Sequence, residues 1–333
     1  MSGETYAVIG GGSWATSLCK ILMDNACEKQ ILWWVRTEEK AEYIRTHGHN
    51  PDYISAVSFD TNRVELTHDL NWALEQADVL ILAIPSAFIQ GELEKTNKSL
   101  WKGKKVLTAV KGLIPKTHEV MHQYLKRQFG LSEQDIAYVT GPCHAEEVAL
   151  ERLSYLTIAS ENEVFGKLIE ENMECAYVRT CGTTDIIGTE YSSVLKNIYA
   201  IVSGICHGLG YGDNFQAILV SNAIQEMEVF LNKMEPTSRI INASAYLGDL
   251  LVTAYSTFSR NRTFGNMLGK GYSVHAAQME MNMIAEGYYA CKSIYLLNEN
   301  LGAHMPILDF AYQVLYEGKS ARKNISGLIP ELK

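Results

Sequence analysis

Long apolar runs are missing from this 333-residue sequence. The most continuous, Val79–Ile84, falls far short of the ~20 residues that cross a bilayer, so no membrane span is expected. The opening residues Met-Ser-Gly-Glu-Thr lack the basic-then-apolar order of a secretion signal. Positive charge is also scarce: 29 Lys and Arg face 38 Asp and Glu, a net charge of −9. That balance argues against a general nucleic-acid binder, whose affinity comes from a basic surface. It leaves open an anionic small molecule, which a local group of lysines and arginines could hold. Seven cysteines form no Cys-x-x-Cys pair, and nine histidines form no His-Glu-x-x-His spacing. Neither a disulfide framework nor a metal site is expected, and free thiols point to a cytoplasmic protein. No internal repeat or low-complexity segment is present.

What the chain does have is 47% hydrophobic residues and enough length for about two domains of roughly 100–200 residues each. The first half alternates short β-branched runs with amphipathic stretches. Tyr6–Ile9, Ile31–Val35, Val79–Ile84, Lys105–Val110 and Ile136–Val139 read as strands, and Trp14–Asn25 as a helix. Strands separated by helices imply parallel pairing in a doubly wound α/β sheet. Leu153–Ala159 and Ala176–Arg179 read as further strands at the end of that domain. From Ile186 onward, Ile186–Cys206, Asn214–Leu231, Ser244–Phe258, Ser273–Met279 and Ile284–Leu297 carry apolar residues at helical spacing. The expected division is residues 1–184, the sheet domain, and residues 185–333, a mostly α-helical domain.

Gly10-Gly11-Gly12-Ser13-Trp14-Ala15 follows the first strand and opens a helix. It fits G-x-G-x-x-A, a form of the dinucleotide fingerprint, and makes the N-terminal domain Rossmann-like. Gly10 allows the tight turn, Gly12 lets backbone approach a pyrophosphate, and the helix N-terminus offers free N–H groups to it. A plain glycine-rich turn looks the same in isolation; strand before and helix after favour the cofactor. Where an NAD-selective site carries an acid after the second strand, this chain has Arg36, with Glu38 and Glu39 beyond it. An arginine there can pair with a 2′-phosphate or stack on adenine, so NADP(H) is favoured and NAD(H) is the alternative.

Lys111 follows the strand ending at Val110, and Gly141-Pro-Cys-His-Ala-Glu146 follows Ile136–Val139. In an open parallel sheet these are the ends at which ligands bind. In the helical half, Lys196-Asn197 interrupts an apolar stretch. Burying an ammonium without a partner is expensive, and periodicity alone favours a stem that carries the amine out to solvent. A buried amine with a lowered pKa would instead suit proton transfer. Asp249 lies in an apolar run and wants a partner, and Ser259, Arg260 and Asn261 could grip a phosphate.

In order and spacing, Gly10–Thr16, Arg36, Val110-Lys111-Gly112, Gly141–Glu146, Leu195-Lys196-Asn197, Gly248-Asp249-Leu250, Ser259–Gly265 and Glu286-Gly287 resemble the soluble NAD(P)-dependent glycerol-3-phosphate dehydrogenases, especially their bacterial branch. The resemblance covers nearly the whole chain. It implies reversible reduction of dihydroxyacetone phosphate to sn-glycerol 3-phosphate for glycerophospholipid synthesis, by a cytoplasmic homodimer. It implies Lys196 as the catalytic proton donor and acceptor. Lys111, Gly141, Cys143, Lys196, Asp249, Ser259, Arg260 and Asn261 fall on its substrate positions. Gly10, Gly12, Ser13, Trp14, Arg36, Lys111, Ala145, Arg260, Ile284 and Glu286 fall on its cofactor positions. Ala15 stands where the family carries Gly, and Cys143 where it carries Ser or Thr. Two rivals share parts of the pattern. A β-hydroxy acid dehydrogenase would share the two-domain layout and the Lys-Asn pair. A non-catalytic dinucleotide-binding regulator would need the glycine turn alone.

Overall fold

The computed structural model describes residues 4–26, 29–281 and 285–333. The chain forms two compact units, one of Met1–Val110 with Glu119–Ile186, the other of Lys111–His118 with Ile187–Lys333.

The first unit is built on eight strands: β1 (Thr5–Ile9), β2 (Gln30–Trp34), β3 (Val64–Thr67), β4 (Val79–Leu82), β5 (Lys105–Thr108), β6 (Ile136–Thr140), β7 (Ser154–Ala159) and β8 (Val178–Thr183). They lie in one sheet in the order 3-2-1-4-5-6-7-8. The helices of this unit are α1 (Ser13–Asp24), α2 (Glu38–His47), α3 (Leu70–Gln76), α4 (Ser86–Leu93), α5 (Met121–Phe129), α6 (Ala145–Ala149) and α7 (Glu163–Met173). The central strands are buried at nearly every position, as a parallel sheet covered on both faces requires. Every pairing is parallel except β6 with β7, where Tyr138 faces Ala159 in antiparallel register. The strand order reverses between β1 and β4, so the glycine turn after β1 sits at the switch point where such sheets bind ligands.

The second unit holds α8 (Ile186–Gly208), α9 (Asp213–Met234), α10 (Asp249–Tyr255), α11 (Arg260–Gly269), α12 (Val274–Glu280), α13 (Glu286–Leu301), α14 (Pro306–Leu315) and α15 (Ala321–Leu328). The expected helix over Ser244–Phe258 is interrupted: a π-type turn spans Ser244–Gly248 and feeds the shorter α10. Ile284, expected to begin the next helix, lies outside the described residues. From Tyr191 to Cys206 every side chain of α8 is buried, polar and apolar alike. An amphipathic stripe has no meaning on such a helix.

Neighbours approach α8 at backbone distance. A Cβ on Gly204 would meet backbone atoms of Arg262 and Asn266, and one on Gly265 would meet the Ile201 carbonyl. Gly208 and Gly269 repeat the contact one turn on. Two small-xxx-small stripes thus let α8 and α11 touch main chain to main chain.

Elsewhere in this unit, Glu226 of α9 is buried, and its carboxylate accepts the N–H groups of Ile307 (2.7 Å) and Leu308 (3.1 Å). It thereby caps α14 from another helix. Burial raises its pKa to about 8, against the opposing pull of those two N–H groups. A folded-state pKa above the unfolded value contributes stability that is full below about pH 4.5 and is lost as pH rises through about 8. Glu226→Ala should therefore flatten the decline in melting temperature across that window. It should also cost about 2–4 kcal/mol at pH 6, by stranding two buried donors. Thermal melts of both proteins from pH 5 to pH 9 measure both effects; parallel curves would contradict the assignment.

Candidate active site

The glycine turn has the geometry of a phosphate cradle. Gly10 holds φ +145°, and a Cβ there would lie 2.5 Å from the Ala83 carbonyl oxygen. Nothing lies within 4 Å of where a Gly12 Cβ would be, so the space above the α1 N-terminus is open. Three side chains brace the turn by its carbonyls. Trp33 Nε1 donates to Gly10 O (2.7 Å), and Lys40 Nζ (3.0 Å) and Asn50 Nδ2 (3.2 Å) donate to Gly11 O. The carbonyls are held by the protein, while the first N–H groups of α1 have no partner within the helix. Ser13 and Trp14 open α1 on that face. Open backbone, fixed carbonyls and a helix N-terminus fit a dinucleotide pyrophosphate.

Arg36, just past β2, is exposed, with its guanidinium 6.0 Å from the Phe88 ring centroid. The nearby acid, Glu38, is engaged by His68 at 2.5 Å and by Arg45 at 3.7 Å. After β6, Gly141 holds φ +126°, and a Cβ there would lie 2.5 Å from the Tyr155 carbonyl oxygen. The buried Cys143 thiol donates to that same oxygen at 3.1 Å. Ala145 begins α6, and its carbonyl accepts from Ser17 Oγ (2.8 Å), tying α6 to α1.

The second unit places Lys196 where periodicity alone did not. Its ammonium stays inside, 4% exposed, and pairs with the carboxylate of Asp249, 1% exposed. The stem cannot carry the amine to solvent because α8 is buried on every side. Asp249 is the first residue of α10 and follows the π-type turn without a break in the helical path.

Beside this ion pair runs a relay of amides. The Gly287 N–H donates to Asn261 Oδ1 (2.9 Å), Asn261 Nδ2 to Asn197 Oδ1 (2.9 Å), and Asn197 Nδ2 to the carbonyl of Lys111 (3.4 Å). Ser259 caps α11 by accepting the Arg262 N–H (3.3 Å), and Arg260, the first residue of that helix, is exposed. Burial raises the pKa of Glu286, at the start of α13, while Arg260, Lys111 and Lys196 pull it back down. The site thus gathers three cations against two carboxylates, one of which burial biases towards its neutral acid. Such a field suits a phosphorylated anion.

Of the expected residues, Lys111, Lys196, Asp249, Ser259, Arg260, Asn261 and Glu286 all fall in this second unit, and Gly10, Gly12, Ser13, Trp14, Arg36, Gly141, Cys143 and Ala145 in the first. Asn197 was given no role by sequence reasoning, although an amide inside an apolar helix demands partners just as a lysine does. Among the described residues no group of His, Cys, Asp and Glu is arranged to hold a metal. No described helix is long and apolar enough to cross a membrane.

Comparison with known proteins gives a consistent answer. Residues 5–165 match the sequence model of the NAD-dependent glycerol-3-phosphate dehydrogenase N-terminus, and residues 185–326 that of its C-terminus. The chain is 32% identical over 326 residues to glycerol-3-phosphate dehydrogenase (NAD(P)+) of Streptococcus sanguinis, covering 98% of this chain and 95% of that one. It is 33% identical over 334 residues to the protein of the same name from Bacillus velezensis, covering 99% and 95%. The crystal structure of glycerol-3-phosphate dehydrogenase from Coxiella burnetii superposes with a TM-score of 0.90 at 26% identity, covering 99% of each chain. The chain therefore belongs to the NAD-dependent glycerol-3-phosphate dehydrogenase family.

Proposed function

We propose that this protein reduces dihydroxyacetone phosphate to sn-glycerol 3-phosphate, reversibly, with NADPH as the preferred cofactor and NADH as the alternative. The buried Lys196–Asp249 pair carries this reading, because an ammonium held dry among helices is otherwise hard to account for. The dinucleotide, when bound, supplies the hydride. As the C2 carbonyl is reduced, negative charge grows on its oxygen; Lys196 lies against that oxygen, stabilises it and gives it a proton from Nζ. In the reverse direction Lys196 takes the hydroxyl proton. Asp249 fixes the ammonium in one position, so little reorganisation accompanies charge development.

Arg260, Ser259 and the α11 N-terminus hold the substrate phosphate, with Lys111 adding positive field. Asn261 has its carbonyl oxygen occupied by Gly287, and it acts on the substrate indirectly, through Asn197 and the backbone of Lys111. Cys143 and Gly141 shape the loop after β6. Gly10, Gly12, Ser13, Trp14 and Ala145 serve the dinucleotide, as does Glu286, with Arg36 on the 2′-phosphate. The product suits glycerophospholipid synthesis in the cytoplasm, and the enzyme acts as a homodimer.

Following the loss of NADPH absorbance on addition of dihydroxyacetone phosphate tests the reading. Steady turnover is expected. Arg36→Ala should raise the KM for NADPH at least tenfold while moving that for NADH less than threefold. Turnover with a β-keto acid instead would favour the hydroxy-acid rival, and cofactor binding without turnover the regulator.

A further inference from the structure

The segment Lys111–His118 groups with the helical unit, although the residues on either side of it belong to the sheet unit. Leu113 and Ile114 are buried, and polar contacts hold both ends. At one end Asn197 Nδ2 donates to the Lys111 carbonyl at 3.4 Å. At the other, His118 Nδ1 lies 2.8 Å from Oγ of Ser293, a buried side chain of α13.

Two features single out His118. Its φ is +57°, a left-handed conformation unfavourable to a residue with a Cβ, and its N–H closes a turn onto the Ile114 carbonyl (2.8 Å). Such a residue persists where its surroundings fix it, and the Ser293 contact is the fixture. Moreover, Lys111 lies close enough to Glu286 to pull that carboxyl's pKa down. Glu286 and Ser293 are i and i+7 on α13, two turns apart on one face and about 10 Å along the axis. The eight-residue strap is therefore tied to α8 through the Lys111 carbonyl and to α13 through His118, and the Lys111 charge acts on Glu286 at the start of α13.

We propose that His118 is a positioning residue: through Ser293 it sets the register of the strap on α13 and so fixes Lys111 at the substrate. The proposal rests on the function proposed above for Lys111. The test uses the full-length enzyme with His118→Gly, which accepts the left-handed backbone but removes the pin, and with Ser293→Ala, the double variant and His118→Asn. Each single variant should raise the KM for dihydroxyacetone phosphate about tenfold with kcat within threefold of the parent. The double should be no worse than either single, because both remove one contact. His118→Asn, which tolerates the left-handed region and offers a polar atom, should recover most of the loss.

A second readout does not depend on turnover: acylation of Lys111 by an amine-reactive reagent, mapped by mass spectrometry, should quicken severalfold in His118→Gly and Ser293→Ala. A KM within twofold of the parent with unchanged Lys111 labelling overturns the proposal, and so do additive effects in the double variant. If the parent does not turn over dihydroxyacetone phosphate at all, the functional reading fails, and the labelling still decides whether His118 holds the strap.

Discussion

Lys196→Met is expected to lower kcat for ketone reduction by about 10³-fold or more while leaving NADPH affinity unchanged. Methionine keeps the length of the stem and removes both the proton and the charge. The single variant also strands Asp249 in the interior, which costs about 3–5 kcal/mol when one member of a buried pair is removed. Lost activity could then reflect lost fold. Lys196→Met combined with Asp249→Leu separates the two effects: replacing both charges by apolar groups of similar size is often neutral or stabilising. The double variant should melt close to the parent, bind NADPH normally and remain inactive. Lys196→Arg makes a further distinction, since guanidinium keeps the charge but does not release its proton in proteins. It should retain substrate binding better than turnover. A folded double variant with kcat within tenfold of the parent would remove Lys196 from the chemistry.

The resemblance picked out Lys196, but its helical pattern alone pointed the amine to solvent, for a physical reason. Helical periodicity sorts residues by face, and α8 has no solvent face between Tyr191 and Cys206. Lys196 therefore looked like one more residue able to reach water. The strands β1, β2, β4, β5 and β6 were legible because a sheet covered on both sides leaves continuous apolar runs. β3 was not, since its four residues Val-Glu-Leu-Thr alternate buried and exposed positions and give too short a signal. The antiparallel turn of β7 was also invisible, because pairing direction is set by the connection and not by the strand's own residues. The need of Asp249 for a partner was legible from its apolar neighbours. The amide relay from Gly287 to Lys111 was not: it joins residues up to 176 positions apart, and nothing local records their meeting.

Gly265→Ala is the second substitution with a large expected effect, and its sign runs against local propensity. Within a helix, Ala is favoured over Gly by about 1 kcal/mol, so a solvent-facing Gly265 would gain stability from the change. Here the added Cβ would fall on the Ile201 carbonyl, and the obstruction is main chain, which has no rotamer to swing away. α8 and α11 must part along the stripe that Gly204, Gly208, Gly265 and Gly269 keep narrow. Overpacking of this kind costs roughly 1–3 kcal/mol or more, and the rigid neighbour puts it at the upper end. A fall in melting temperature of about 4–6 °C is expected. Gly327→Ala on α15 is the control, since nothing lies within 4 Å of its Cβ and that variant should melt at or above the parent. The functional loss should exceed the structural one. Asn197 on α8 and Asn261 on α11 meet at 2.9 Å only while the two helices touch, and Arg260 begins α11 one residue before Asn261. Parting the helices by even an ångström breaks that bond and moves Arg260, proposed above to hold the phosphate, relative to Lys196, which proximity arguments put at about 10²-fold in rate. Gly265→Ala should therefore lose activity at temperatures well below its own melting transition, whereas an equally destabilising change such as Glu226→Ala, which adds nothing between α8 and α11, should keep it.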